Sequence, residues 1–233
     1  MTKHTHHKNC SCRTNAFLSA LGFGRLGSSR THSTRSSSAA YFKLPDSGAA
    51  KAAEAYLAAL SSPVMVDHCK RCFLFAQALA EKANAKPDLE ILYVGCLFHD
   101  LGLEPIFEGP DDFEVIGARE ASRFLRAKGY TKISEQVAAT IVNHTSVSTA
   151  NDPRPEVAFL NMGATVDVLG MRIDQIDTKL IQKIIEEYPR NGTKALLTGL
   201  LGHEISTKPN SNFGQLEAQF DVLKRINEAP FDS

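Results

Sequence analysis

The sequence predicts an all-α fold, and three observations lead there. Apolar residues recur at helical spacing from residue 46 to the C-terminus. Most of these runs open on an Asp, Ser or Pro and close on a Gly or ahead of a Pro. No stretch alternates apolar and polar residues convincingly, as a half-buried strand would. With 233 residues, 43% of them hydrophobic, the chain can build one domain with a full core.

In chain order, Asp46 or Ser47 caps a first helix through Leu60, and Pro63 separates it from a strongly apolar helix over about residues 64–84. Asp88 starts a helix that ends at Gly102. Asp112 caps the next, which Gly129 closes, and Ser134 caps another that runs to about Thr145. Pro155 suits the first turn of a helix extending to Gly170. Helices over residues 178–188 and 193–206 end before Pro189 and Pro209, and a last one covers about residues 214–227.

Residues 1–45 read differently. They contain no acid but carry Lys3, Lys8, Arg13, Arg25, Arg30, Arg35 and Lys43, with a serine-rich run at 33–38. That composition fits an organellar transit peptide. It equally fits a disordered tail, because the amphipathic stretch at 16–26 is short. The expected organisation is therefore a basic leader, 1–45, followed by one helical domain, 46–233. Four of the eight histidines, His4, His6, His7 and His32, belong to the leader and are set aside.

Lys plus Arg equals Asp plus Glu at 26 each, so no net field favours a nucleic acid or an anionic membrane. The expected partner is a small-molecule substrate, and a homo-oligomer is compatible with the sequence. No apolar run approaches the roughly 20 residues that span a bilayer. The five scattered cysteines, Cys10, Cys12, Cys69, Cys72 and Cys96, suit a reducing compartment rather than a disulfide framework. The expected location is intracellular and cytoplasmic, or mitochondrial or another organelle if the leader is a transit peptide. The CxxC at Cys69 and Cys72 lies in an apolar helical pattern without a second CxxC, and reads as buried thiols.

Of the four remaining histidines, three sit inside apolar helical segments. Residues 92–98 are apolar almost all round, yet the segment ends in the adjacent pair His99 and Asp100. A buried charge must be paired or bound to metal. His68 lies within another apolar helix, and Asp167 is the one acid in residues 162–170. Each residue alone has a bland explanation as a helix cap or a backbone partner. Together, on three helices facing a shared interior, they can converge on one cation. Two imidazoles and two carboxylates suit Fe, Mn, Zn, Co or Ni better than Ca, and four protein ligands leave positions open for water and substrate.

The order His68, His99-Asp100, Asp167 resembles the H…HD…D signature of the HD-domain superfamily of metal-dependent phosphohydrolases. Residues 63–75, 97–102, 113–118, 141–145, 155–158 and 169–170 are similar to HD-domain proteins of the cyanamide hydratase kind. The resemblance covers about residues 53–220, and the leader has no counterpart in it. It implies a helical HD-domain bundle with one divalent transition metal, since His144 is the only histidine between the His-Asp pair and Asp167.

Three further residues join the candidate site. Arg71, three residues after His68 and so on the same helical face, is a candidate for binding a substrate anion. His144 shares a face with Val137 and Ile141, so its ring should point inward as an acid or base. Glu114 is a candidate proton shuttle, or a first-turn acid serving the helix dipole. His203, Asp174 and Asp177 read as surface or capping residues.

The expected function is an enzyme that activates water at the metal. The subgroup resemblance implies hydration of a small nitrile such as cyanamide. The superfamily alone implies hydrolysis of a phosphate monoester or nucleotide. A non-catalytic ligand-binding module is the third possibility. Phosphate chemistry needs several cations, and Arg71 is the one nominated near the site, which favours a weakly charged substrate. Removing residues 1–45 is expected to leave helicity and metal content unchanged, as circular dichroism and mass spectrometry would read. Metal loss on truncation would refute it.

Overall fold

The computed structural model describes residues 43–231, so the leader and its histidines lie almost wholly outside the described residues. Ten α-helices and four short 3₁₀ turns make up the architecture, with no strand among the described residues. The fold is all-α. The helices are α1 (Gly48–Leu60), α2 (Pro63–Lys82), α3 (Leu89–Phe98), α4 (Phe113–Ala127), α5 (Thr131–Ile141), α6 (Pro155–Leu169), α7 (Thr178–Glu187), α8 (Thr193–Thr207), α9 (Asn212–Phe220) and α10 (Val222–Glu228).

Local chemistry sets most helix starts. Ser47 Oγ accepts from Ala50 N, Ser62 Oγ from Met65 N, and Asp88 and Asp177 each take two first-turn amides. Pro63 and Pro155 open their helices at the first position, where no amide donor is missed. Asp112 holds the N-cap position of α4, but its Oδ2 accepts from Asn212 N at 2.9 Å and so tethers α9 instead.

Three expected boundaries move, each for a physical reason. The helix expected to reach Gly102 ends at Phe98, and Asp100 has left helical geometry (φ −102°, ψ 8°) ahead of a 3₁₀ turn at Leu101–Leu103. Gly102 explains the break. A Cβ there would stand 2.0 Å from Phe113 O, so the backbone of α4 passes directly over the end of α3. Helix α5 starts at Thr131 rather than Ser134, whose hydroxyl donates back to Thr131 O, and it ends at Ile141 rather than Thr145. The last expected helix is two. Asp221 takes a left-handed conformation (φ 51°) and Arg225 Nε donates to Phe220 O across the joint.

The core is one continuous cluster, and its densest contact is α2 against α6. Gly163 makes that approach possible, because a Cβ there would meet Cys72 O at 2.1 Å and Ala76 Cβ at 2.8 Å. One turn later Asp167 faces α2 at His68. The other face of α6, through Asn161, Thr165 and Val168, lines a cavity described below.

Replacing Gly163 with Val should therefore force α2 and α6 apart and cost at least about 1–3 kcal/mol. Gly202→Ala, with nothing within 4 Å of its Cβ in mid-helix, should gain about 0.5–1 kcal/mol. Thermal unfolding of the two variants checks both, and equal midpoints would show that the close approach is not needed.

Candidate metal centre

Helix α2 contributes His68, Arg71 and Cys72, which share one face at spacings of three and four residues. The unwound end of α3 contributes His99 and Asp100, and α6 contributes Asp167. All of these side chains are buried.

Three donor atoms form a nearly equilateral triangle. His68 Nε2 to His99 Nε2, His68 Nε2 to Asp100 Oδ2, and His99 Nε2 to Asp100 Oδ2 are each 3.3 Å. Ligands at about 2.0–2.1 Å from a metal stand about 3.0 Å apart in an octahedron and about 3.4 Å in a tetrahedron. The observed spacing falls within that span.

The hydrogen bonds behind the triangle fix which nitrogen carries the proton. His99 Nδ1 lies 2.7 Å from Cys96 O, and a carbonyl can only accept, so Nδ1 donates and Nε2 presents a lone pair. His68 Nδ1 donates in the same way to Asp167 Oδ2 at 2.7 Å. Two imidazole lone pairs and a carboxylate oxygen thus converge in a buried place. With both rings neutral, that donor set fits a divalent transition metal.

Burial and the neighbouring carboxylates act on these groups in opposite directions. Burial disfavours charge on His68, yet the hydrogen bonds and charges of Asp100 and Asp167 raise its pKa above the usual value. Burial pushes His99 down to about 4. Burial also opposes ionisation of Asp100, but His99, His144 and His68 hold it well below the usual carboxylate range.

His144 occupies the other side of Asp100. It lies in the turn after α5 rather than within the expected helix, but it is buried. Its Nδ1 donates to Ile141 O at 2.8 Å, and its Nε2 stands 3.5 Å from Asp100 Oδ1. Cys72 Sγ is nearly equidistant from both nitrogens of His68, at 3.6 and 3.7 Å, as a thiol packed on the ring face is. Burial pushes the Cys69, Cys72 and Cys96 thiols up, and these three are free.

Asp167 stands apart from the triangle. Its Oδ1 accepts from Arg71 Nε (2.8 Å) and Arg190 NH1 (2.7 Å), and its Oδ2 accepts from His68 Nδ1 and from Arg71 NH2 (3.1 Å). Burial opposes its ionisation, but Arg71, His68 and Arg190 hold it well below the usual range. For Asp167 to join the triangle, His68 would have to give up its Nδ1 partner and Asp167 would have to turn away from two guanidinium groups.

Arg71, expected at a substrate anion, spends its donors on protein groups in this structure. All five of its donors are used: two on Asp167, two on Tyr188 O and Pro189 O, and one on Thr193 Oγ1. Arg71 positions Asp167. Glu114 is buried and reaches the cavity only through Thr145, whose hydroxyl donates to Glu114 Oε1, which also accepts from Asn212 Nδ2 at 3.0 Å. His203 is exposed beside Glu108 and takes no part.

Over His99, Asp100 and His144 lies a cavity of about 90 Å³ with mostly apolar walls, including Phe113, Val147, Leu197, Leu201 and Phe213. Thr145, Asn161 and Thr165 are its other polar residues, and no Lys or Arg lines it among the described residues. Sequence reading missed Arg190, whose contact with Asp167 joins a loop to a helix 23 residues away and leaves no periodic trace. It also missed Asn161, although a lone polar residue in an apolar helix was the signal that picked out Asp167.

The family model of the HD domain matches residues 65–161, which include His68, His99, Asp100 and His144. Over those residues the chain is similar to the HD domain. It is also similar to the cyanamide hydratases DDI2 and DDI3 of Saccharomyces cerevisiae, each 26% identical over 184 residues that span 76% of this chain and 81% of the yeast protein. The HD domain, this similarity and the donor set together support metal-dependent chemistry of the hydrolase type. No helix among the described residues is long and apolar enough to cross a membrane.

Because Arg71 is spent on Asp167, Arg71→Lys should act on folding and metal rather than on substrate. Loss of the guanidinium fork should lower the thermal midpoint and weaken metal binding about 10–100-fold. A variant with unchanged stability and metal affinity but a raised KM would return Arg71 to the substrate.

Proposed function

We propose that this protein hydrates a small nitrile, with cyanamide as the model substrate, at one divalent ion held by His68 Nε2, His99 Nε2 and Asp100. Asp167 acts on that ion through His68, whose proton and orientation it fixes. One observation carries the choice of substrate class. The cavity beside the triangle holds about 90 Å³, against roughly 300–1,000 Å³ for sites of drug-sized ligands, and no cation lines it among the described residues. A molecule of a few heavy atoms suits such a space, and a phosphate dianion does not.

When bound, the divalent ion supplies Lewis acidity that lowers the pKa of water toward neutrality. The chain's own groups do the rest. His144, with its Nδ1 proton tied to Ile141 O, offers Nε2 to take a proton from the attacking water. The water oxygen forms a bond to the nitrile carbon, one π bond of C≡N breaks, and His144 returns the proton to the nitrile nitrogen. The second water proton then shifts from oxygen to nitrogen, so R–C≡N plus water becomes R–C(=O)–NH₂. The apolar walls hold the substrate and limit bulk water. Thr145, fixed by Glu114 and by Asn212 Nδ2 at 2.5 Å, lines the cavity without needing to ionise.

Metal analysis and turnover of a panel of nitriles and phosphate esters test the reading. Hydration of cyanamide without release of phosphate is expected. Phosphate release alone would move the protein to the phosphohydrolase reading, and no turnover with a full metal site would favour a ligand-binding module. Asp100→Ala should empty the metal site. His144→Ala should keep the metal and lose at least about a hundredfold in turnover.

Asp167→Asn separates orientation from ligation. An amide oxygen can still accept from His68 Nδ1, so the variant should retain metal with about 10–100-fold lower affinity. Loss of metal as complete as in Asp100→Ala would make Asp167 a direct ligand.

A further inference from the structure

The segment that joins α7 to α8 holds the metal centre from behind. Tyr188 O and Pro189 O accept from Arg71 NH1 at 3.0 and 2.9 Å, and Thr193 Oγ1 accepts from Arg71 NH2 at 3.0 Å. Arg190 NH1 donates to Asp167 Oδ1 at 2.7 Å, and Thr193 N closes the turn onto Arg190 O at 2.7 Å. Asn191 and Gly192 form the tip of that turn, and they are the one Asn-Gly pair in the sequence.

Both residues are left-handed, with φ of 28° and 86°, a combination that Asn followed by Gly tolerates. Asn191 is exposed, and neither its side-chain amide nor Gly192 N has a hydrogen-bond partner among the described residues. A Cβ on Gly192 would meet nothing within 4 Å, so the surroundings of its backbone nitrogen are open. A free side-chain amide followed by an unhindered, unpaired backbone nitrogen can close on itself.

We propose that Asn191 is a deamidation site whose isoaspartate product loosens the metal centre. Gly192 N, on losing its proton, attacks Asn191 Cγ. The new N–C bond closes a succinimide ring as the bond from Cγ to the side-chain nitrogen breaks, and that nitrogen leaves as ammonia with the proton. Water then opens the ring at either carbonyl, and no oxidant or further reactant is needed. Opening at Cγ gives aspartate on an unaltered main chain. Opening at the backbone carbonyl gives isoaspartate, whose main chain runs through Cγ and is one methylene longer. The extra length falls between Arg190 and Thr193, so their bond to each other and their holds on Asp167 and Arg71 cannot all keep their present geometry. The inference holds whatever the substrate, and it rests on Asp167 acting on the metal through His68.

The metal-loaded full chain is incubated at neutral and at mildly alkaline pH beside a synthetic peptide of residues 186–196. Peptide mapping by mass spectrometry follows the replacement of NH₂ by OH at position 191, and isoaspartyl methyltransferase scores isoaspartate. Conversion in the folded protein is expected, faster at the higher pH because the attacking nitrogen must lose its proton. Asn191 intact in the protein after the peptide has converted overturns the proposal. The modified fraction, separated by charge and scored for isoaspartate, should bind metal about 10–100-fold more weakly than fresh protein. Asn191→Asp carries the same charge on an unaltered main chain and should bind metal as the wild type does. Asn191→Gly permits the positive φ without the amide, and should come through the incubation with its metal affinity unchanged. Equal metal affinity of the isoaspartate form and fresh protein, or the same loss in incubated Asn191→Gly, overturns the link to the metal centre. Fresh protein that binds no metal overturns the metal reading and the link together, while the conversion of Asn191 is read without it.

Discussion

A carboxylate buried between two guanidinium groups organises this protein. Asp167 has no exposed side-chain surface, and taking such a charge out of water costs several kcal/mol before any partner is counted. Arg71 and Arg190 offset that cost with three hydrogen bonds to its oxygens, and His68 adds a fourth. Arg71 then reaches the carbonyls of Tyr188 and Pro189 and the hydroxyl of Thr193, while Arg190 also holds Asp167 O. One charge thus ties α2, α6 and the link between α7 and α8 together. Gly163 is part of the same device, because it lets α6 come close enough to α2 for the ion pair to form.

The consequence for the site is orientational. Whatever holds Asp167 also holds the proton on His68 Nδ1, and so aims the Nε2 lone pair at His99 and Asp100. The early end of α3 does the equivalent work on the other side. Where Gly102 lets α4 cross, the helix unwinds at Asp100, and the adjacent His99 and Asp100 can both point at His68. On a continuous helix, neighbouring residues diverge by about 100° and would not share a ligand position. The donors converge only in the folded chain, so metal binding and stability of this region are expected to be linked.

Much of this was legible in the sequence, and the boundary is instructive. Helical periodicity with Ser, Asp and Pro at the starts gave the element order, because those signals are local. The helix ends were less legible, since Gly102 breaks α3 only because Phe113 crosses there, a contact no window of sequence contains. Lone polar residues in apolar helices pointed to His68, His99, Asp100 and Asp167, and the same criterion applies to Asn161. What the pattern could not supply was direction. Arg71 shares the His68 face, yet its donors turn toward the 188–193 segment rather than to a ligand, because a carboxylate 96 residues away is there first.

That use of Arg71 bears on the chemistry the site can support. Phosphoryl substrates bring concentrated negative charge, and enzymes that cleave them meet it with guanidinium, ammonium or metal cations aimed at the equatorial oxygens. Here the two arginines nearest the triangle face Asp167 from behind, and Asp100 adds a negative charge on the cavity side. A dianion entering the apolar cavity would lose its hydration and find no lysine or arginine among the described lining residues. A neutral nitrile, the substrate proposed above, would lose little hydration on entry. The network that stabilises the fold therefore takes up both arginines nearest the triangle, which is the support for the proposed preference for a small uncharged electrophile.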